Sequence, residues 1–266
     1  MPIRRFTPLL LLMSLALAAC ATRQPGAGSE AGQWASARQL VLVTTADWDG
    51  TGGELRRYER DRDGGDWRPV GAAMPIAVGR TGLAWGLGLN DARSDGPVKR
   101  EGDGKAPAGA FSIGPAFGYA DSARTGLEYQ AMDRNDWCID VPESSYYNRI
   151  VDRSLVTAPG VEKSTEPMRL DIHGKDGDQR YREGFVIQHN AAAKPSAGSC
   201  IFAHLWGSPG QATAGCTAMA PESMQPLLAW LDRSRKPVFV QLPLAQYAQL
   251  RNAWRLPEIN TAGATR

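Results

Sequence analysis

Gln39-Leu40-Val41-Leu42-Val43-Thr44-Thr45 is a run of apolar and β-branched side chains. Branching at Cβ restricts χ1 in a helix and packs well on a pleated surface, so this run reads as a strand. Working outward, Glu54 to Arg60 and Met74 to Gly79 read as further strands, separated by the turn-rich Asp61-Arg62-Asp63-Gly64-Gly65. Ala110-Phe111-Ser112-Ile113 alternates between Gly109 and Gly114. Trp137 to Val141, Phe185 to His189, Cys200 to Leu205 and Val238 to Leu242 complete the set. One helix is clear over about 222–232: Met224, Leu227, Leu228 and Leu231 fall on one apolar stripe. Proline is tolerated in a first turn and not deeper, so Pro221 and Pro226 bracket that turn. Many short strands, few helices and long connecting loops predict a mostly β fold, a β-sandwich or an open barrel. Two stretches resist assignment, Gly86 to Gly109 and Glu143 to Asp178. Loops of that length in a compact domain are usually functional or poorly ordered.

The chain ends carry a different message. Arg4 and Arg5 precede an apolar run, Leu9 to Leu17, too short to span a bilayer as a mature helix. Leu17-Ala18-Ala19-Cys20 then places small residues before a cysteine. The expectation is a secretory signal peptide over residues 1–19, with a lipobox whose cleavage leaves Cys20 lipidated. Acyl chains contribute about 0.8 kcal/mol per buried methylene, enough in sum for a stable membrane anchor. Ala21 follows the cysteine, where aspartate would signal inner-membrane retention, so an exported, periplasmic lipoprotein on the outer membrane is expected. Residues 20–38 are mostly Ala, Gly, Ser, Gln and Arg and predict a flexible tether. The folded domain is then expected over 39–257, with a small polar tail at 258–266. Net charge is +2, so no nucleic-acid footprint is expected, and no internal repeat is visible.

Beyond Cys20 the chain holds Cys138, Cys200 and Cys216. In an oxidising compartment three cysteines leave at least one thiol unpaired. If Cys138 pairs with Cys200, Cys216 is free. If Cys200 pairs with Cys216, no nucleophile remains. The third alternative is that Cys138 and Cys200 both stay reduced.

Cys216 lies in Thr213-Ala214-Gly215-Cys216-Thr217-Ala218-Met219, 12 positions after His204. A cysteine attacks as its thiolate, and a neighbouring imidazolium lowers the free thiol pKa of about 8.5 by charge. The turn Trp206-Gly207-Ser208-Pro209-Gly210 separates the two and brings the side chains near each other. His189 and His173 are the other histidines. His189 reads mainly as a core residue, and His173 has no apolar setting. Gly215 lets a carbonyl approach the backbone, so amides near Ala214, Gly215 and Cys216 are candidates for an oxyanion hole. Thr213 adds a hydroxyl. A backbone carbonyl or Ser199 would orient His204. Zinc held by Cys200, His204, Cys216 and His189 is disfavoured, because compact ligand spacing is missing. No metal or cofactor is expected.

The segment Thr213 to Met219 resembles the active-site motif of the L,D-transpeptidase catalytic-domain (YkuD-like) family. His204 is similar to the catalytic histidine of that family. Lys105-Ala-Pro107-Ala-Gly109-Ala-Phe111-Ser-Ile113 resembles its Thr-Pro-x-Gly-x-Phe-x-Ile segment. Lys99 to Gly104 and Ser145-Tyr146-Tyr147-Asn148-Arg149 resemble a longer branch of it. The likeness covers most of residues 75–242. Thr213 and Ala214 replace the usual Ser-His/Lys pair, Ala218 stands where most members have arginine, and the His-to-Cys spacing is short. The resemblance implies a YkuD-like sandwich or open barrel and acyl transfer on peptidoglycan stem peptides. Cys216 would be the nucleophile, His204 the base, and Tyr147, Asn148 and Arg149 substrate contacts. Two rivals stand beside transpeptidation: hydrolysis of the same thioester by a peptidase or amidase, and a non-catalytic wall-binding lipoprotein. Lys99 to Gly109 would be either a cleft rim or a solvated hairpin.

Overall fold

The computed structural model describes Met1 and residues 30–259. The expected signal peptide, Cys20 and the tail beyond residue 259 lie outside the described residues. Eight strands close into a barrel. They are β1 (Gln39–Thr45), β2 (Gly52–Glu59), β3 (Met74–Ala77), β4 (Ala106–Gly118), β5 (Glu183–Ile187), β6 (Phe202–Leu205), β7 (Thr217–Met219) and β8 (Val238–Pro243). Around the barrel the order is β1, β8, β4, β5, β6, β7, β3, β2 and back to β1. The β1–β8 and β6–β7 pairs are parallel, and the other six are antiparallel. A closed barrel thus replaces the expected sandwich or open barrel. Pairing of β1 with β2 along seven residues makes the closure and removes the free edges of an open sheet.

All seven residues of β1 are buried, which explains its unbroken apolar run. One face fills the barrel and the other is covered by a helix. That helix, Leu244–Trp254, begins directly after β8 and was not expected. Its inward residues are Tyr247, Leu250 and Trp254. The expected helix runs over Pro221–Trp230. Pro226 sits inside it, deeper than the first turn, so the helix forgoes one backbone hydrogen bond there. A buried polar chain crosses the barrel interior: Thr217 Oγ1 donates to Gln241 Oε1 at 2.8 Å, and Gln241 Nε2 donates to the Pro107 carbonyl at 2.9 Å.

The domain starts earlier than expected. Residues Glu30–Trp34 form a 3₁₀ turn, and Trp34 packs edge-on against Trp254 at 5.2 Å. The Arg60 guanidinium donates to the carbonyls of Trp34, Ala35 and Ala37. The last part of the expected tether is therefore folded onto the barrel, because a single tryptophan found an aromatic partner far along the chain.

The long polar stretch between β4 and β5 forms a small cap. Asp136–Cys138 is the centre of a three-stranded sheet, with Ile150–Asp152 on one side and Glu166–Pro167 on the other. The disulfide Cys138–Cys200 fastens this cap to the segment leading into β6. A second apolar cluster lies between cap and barrel, including Phe117, Met168, Leu170, Tyr181, Phe202 and Cys216.

Candidate active site

β6 and β7 run side by side and parallel, with His204 level with Ala218 and Ala203 level with Thr217. Side chains alternate along a strand, so Phe202 and His204 share one face. Cys216, just before β7, is level with Phe202, whose N–H donates to its sulfur at 3.3 Å. His204 lies two residues along β6 from Phe202, the residue whose N–H meets the Cys216 sulfur. The Cys216 and His204 side chains open onto one cleft of 380 Å³ beneath the cap. Tyr181, Glu166, Arg180, Arg80, Lys99 and Glu101 also line it.

Cys216 carries a free thiol, since Cys138 and Cys200 bond to each other. The same disulfide removes Cys200 from any set of thiolate ligands. The sulfur is enclosed, with Cys216 only 8% exposed. Its thiol proton faces the Cys200 carbonyl, 3.5 Å away. Burial is the main cause that pushes the thiol up to about 12, and the Glu166 carboxylate adds to it.

The Nδ1 of His204 lies 2.7 Å from the Leu205 carbonyl oxygen. A carbonyl can only accept, so Nδ1 carries the proton and Nε2 is left as the basic nitrogen. Burial holds the ring down to about 4, so it is neutral at pH 7. Tyr181 packs edge-on against it at 5.0 Å. The expected thiolate–imidazolium pair is therefore not the resting state of the closed cleft. Both groups are neutral because burial penalises the charged form of each.

The turn before the nucleophile is braced internally. Thr213 Oγ1 accepts from the Gly215 N–H at 3.1 Å and donates to the Cys216 carbonyl at 2.7 Å. The Gly215 amide is thus occupied. Ala214, Gly215 and Cys216 all line the cleft. Gly215 has a packing reason of its own: a Cβ there would meet the Lys105 carbonyl oxygen at 3.1 Å.

We compared the chain with protein-family models, with curated proteins and with solved structures, and it matches none.

The remaining expected residues divide clearly. Lys99 and Glu101 place the Lys99–Gly109 segment on the cleft rim. Lys99 Nζ is held by Asp103 at 2.5 Å. Ser199 does not orient His204, because its hydroxyl donates to Glu101 at 2.7 Å. Tyr147, Asn148 and Arg149 do not line the cleft. Tyr147 is buried and its hydroxyl donates to Glu101. Asn148 is a clamp: it accepts from the Cys200 N–H at 2.8 Å and donates to the carbonyls of His189 and Asn190 at 2.9 Å. Arg149 is exposed. His189 is a structural histidine, with Nδ1 accepting from the Leu87 N–H and Nε2 donating to the Ala197 carbonyl. His173 lies outside the cleft, stacked near Trp137.

Tyr181 and Glu166 escaped the sequence reading. The Tyr181 hydroxyl donates to Glu166 Oε1, and Tyr181 shares both the cleft and the apolar cluster of Cys216. Burial raises Glu166 to about 7. Glu166 lies in the polar stretch that resisted assignment, and Tyr181 lies just beyond it, two residues before β5.

Proposed function

We propose that this protein is a cysteine-dependent acyltransferase acting on peptidoglycan stem peptides, an exported lipoprotein of the L,D-transpeptidase (YkuD-like) kind. The observation that carries this reading is the unpaired Cys216 thiol sharing a cleft with a histidine whose Nδ1 is fixed by the Leu205 carbonyl. That arrangement leaves Nε2 free to take a proton, which is what an activated cysteine needs. The motif resemblance adds the substrate class.

Substrate entry rotates the thiol from the Cys200 carbonyl toward His204. The sulfur attacks the carbonyl of the diamino acid that precedes a terminal D-residue, and the thiol proton moves to His204 Nε2. Negative charge on the former carbonyl oxygen is met by the amides of Ala214 and Cys216. Each such donor is worth roughly 2.7–4 kcal/mol in the transition state. His204 returns the proton to the departing amine as the C–N bond breaks, leaving a Cys216 thioester. An acceptor amine then attacks the thioester and restores the thiol. Because Ala218 offers no cation, Arg80 and Arg180 on the cleft wall are the groups suited to a substrate carboxylate. Arg180 is partly engaged by Asp178 at 2.6 Å.

The test is mass spectrometry of purified muropeptides incubated with the protein and with Cys216→Ala. Cross-linked or D-residue-exchanged products that need Cys216 support acyl transfer. Shortened or uncross-linked products name the hydrolytic rival, and no change in either sample leaves the wall-binding rival.

A further inference from the structure

A second cavity, of 830 Å³, shares no lining residue with the cleft of Cys216. It forms where β2, the short strand Arg68–Pro69 and the segment after the Leu244–Trp254 helix meet. Five charged side chains line it. Arg56 is engaged by Glu54 at 2.5 Å, and Glu258 by Arg251 at 2.6 Å. That leaves Arg57 and Arg255 against Asp66. Arg57 Nη1 donates to the Pro226 carbonyl at 3.2 Å, and its Nε is buried without an acceptor. Among the described residues no hydrogen bond or ion pair engages the exposed Arg255 guanidinium. Gly71 clears space for Arg57, because a Cβ there would sit 2.7 Å from Arg57 Nη2. Arg255 Nη1 lies beside Gly64, 3.8 Å from where a Cβ would stand. Both glycines line the cavity. One short stretch ties the two arginine backbones together: Trp67 Nε1 donates to the Arg255 carbonyl at 3.0 Å, and the Val70 N–H to the Arg57 carbonyl at 2.8 Å. Arg255 holds φ +52 in the turn that ends the helix, where the Leu256 N–H donates to the Arg251 carbonyl. Glycine is the usual occupant of such a position, since a side chain crowds its own backbone there. Strain of this kind is kept where the side chain has work to do.

We propose that this cavity binds a dianionic phosphate group, with the Arg57 and Arg255 guanidiniums on its oxygens. A phosphate monoester carries a charge of about −1.5 to −2 at pH 7, which matches two guanidiniums that no carboxylate holds. The planar N–H fork of arginine fits phosphate oxygens in pairs. A volume of 830 Å³ leaves room for the molecule that bears the phosphate. Trp67 lines that room, with its ring fixed by the Arg60 guanidinium at 4.1 Å. Asp66 opposes the anion and lowers its affinity. A soluble sugar phosphate, a lipid headgroup and free phosphate all present this group. The site depends neither on the chemistry of Cys216 nor on peptidoglycan.

Isothermal titration calorimetry of the protein with glucose 6-phosphate, inorganic phosphate and glucose tests the proposal. The lipid arm is co-sedimentation with phosphatidylcholine vesicles, with and without phosphatidic acid. The phosphate-bearing probes should bind and glucose should not, and binding should weaken as salt is raised. Arg255→Gly suits the positive φ and removes the cation, so the fold is kept. It should weaken binding about tenfold, and so should Arg57→Gln, the change expected for a hydrogen bond to a charged group. Asp66→Asn should tighten it. Stronger binding of glucose 6-phosphate than of inorganic phosphate supports a soluble ester as the source. Binding that appears only with phosphatidic acid supports a headgroup, and equal binding of inorganic phosphate supports the free anion. Full affinity in both Arg255→Gly and Arg57→Gln, or no binding of any phosphate-bearing probe, overturns the proposal. Should Arg57→Gln not fold, Arg255→Gly decides alone. Cys216→Ala should bind like the wild type, so failure of muropeptide turnover would count only against the proposed function.

Discussion

The Thr213 hydroxyl bridges both ends of the turn that carries the nucleophile, taking the Gly215 N–H at 3.1 Å and giving its proton to the Cys216 carbonyl at 2.7 Å. This two-bond brace holds the peptide units on either side of the Cys216 N–H, the amide proposed to meet an oxyanion. Thr213→Val keeps the shape and removes both bonds. We expect kcat on stem peptides to fall about 10–100-fold, within the effect of one misplaced oxyanion donor. The alkylation rate of the thiol should change little. Steady-state kinetics beside alkylation separate the two, and equal losses in both would show that the brace holds the sulfur rather than the amide.

His204 should matter to chemistry and little to folding. With Nδ1 bound to the Leu205 carbonyl, only Nε2 is left to move protons. His204→Gln is expected to lower the acylation rate about 10²–10⁴-fold, the usual contribution of a general base. Single-turnover formation of the acyl-enzyme measures this step. Retained acylation would transfer the base role elsewhere in the cleft.

The pH dependence of stability follows from three buried groups. Burial lowers His204 and His189 to about 4, below the 6.5 of the unfolded chain. The folded state thus binds fewer protons in that window, and stability is lost as pH falls from about 6.5 to 4. Glu166 works the other way. Its raised value of about 7, against 4.5 unfolded, loses stability as pH rises from 4.5 to 7. Each contributes about 3 kcal/mol, at about 1.4 kcal/mol per tenfold change in proton affinity. One histidine is therefore largely offset by Glu166 at intermediate pH. Urea unfolding from pH 4 to 7 should show stability rising with pH, and rising more steeply in Glu166→Gln. An unchanged slope in that variant would mean Glu166 is solvated.

Much of the barrel was written in local runs, and its closure was not. β1 and β8 are apolar throughout because both faces are buried, and each reads as a strand alone. Their parallel pairing joins residues about 200 positions apart, which no local pattern records. β4 was under-read as four residues, since Pro107, Gly109, Gly114 and Pro115 look like breakers but lie within one 13-residue strand. The C-terminal helix was legible in the spacing of Tyr247, Leu250 and Trp254. It was masked by following β8 with no turn between. In the site, Cys216 and His204 could be found by residue type and motif. Tyr181 and Glu166 could not, because only the folded cap brings Glu166 to the cleft and Tyr181 precedes a strand with no motif to mark it. The charge state of the pair was misread for a related reason. A sequence shows which groups are adjacent but not how thoroughly a cap dries them.

The clamp and the disulfide should be worth similar amounts. Cys138–Cys200 closes a loop with a sequence separation of 62. Its reduction is expected to destabilise the protein by about 2–4 kcal/mol. Asn148→Ala removes three hydrogen bonds that tie the cap to the 189–200 segment. Unsatisfied backbone groups left behind cost about 1–3 kcal/mol. Thermal melts of the reduced wild type and of oxidised Asn148→Ala check both. A melt insensitive to reductant would mean the disulfide strains the cap as much as it fastens it.

The account rests on Cys216 forming a thioester with a stem peptide. Intact-mass spectrometry of the protein, quenched in acid within seconds of adding a tetrapeptide-stem muropeptide, reads that species directly. The account predicts an adduct equal to the stem minus its terminal D-residue, mapped to Cys216, discharged by hydroxylamine and absent from Cys216→Ala. Product formation that persists in Cys216→Ala, or an adduct mapped to another residue, would contradict it.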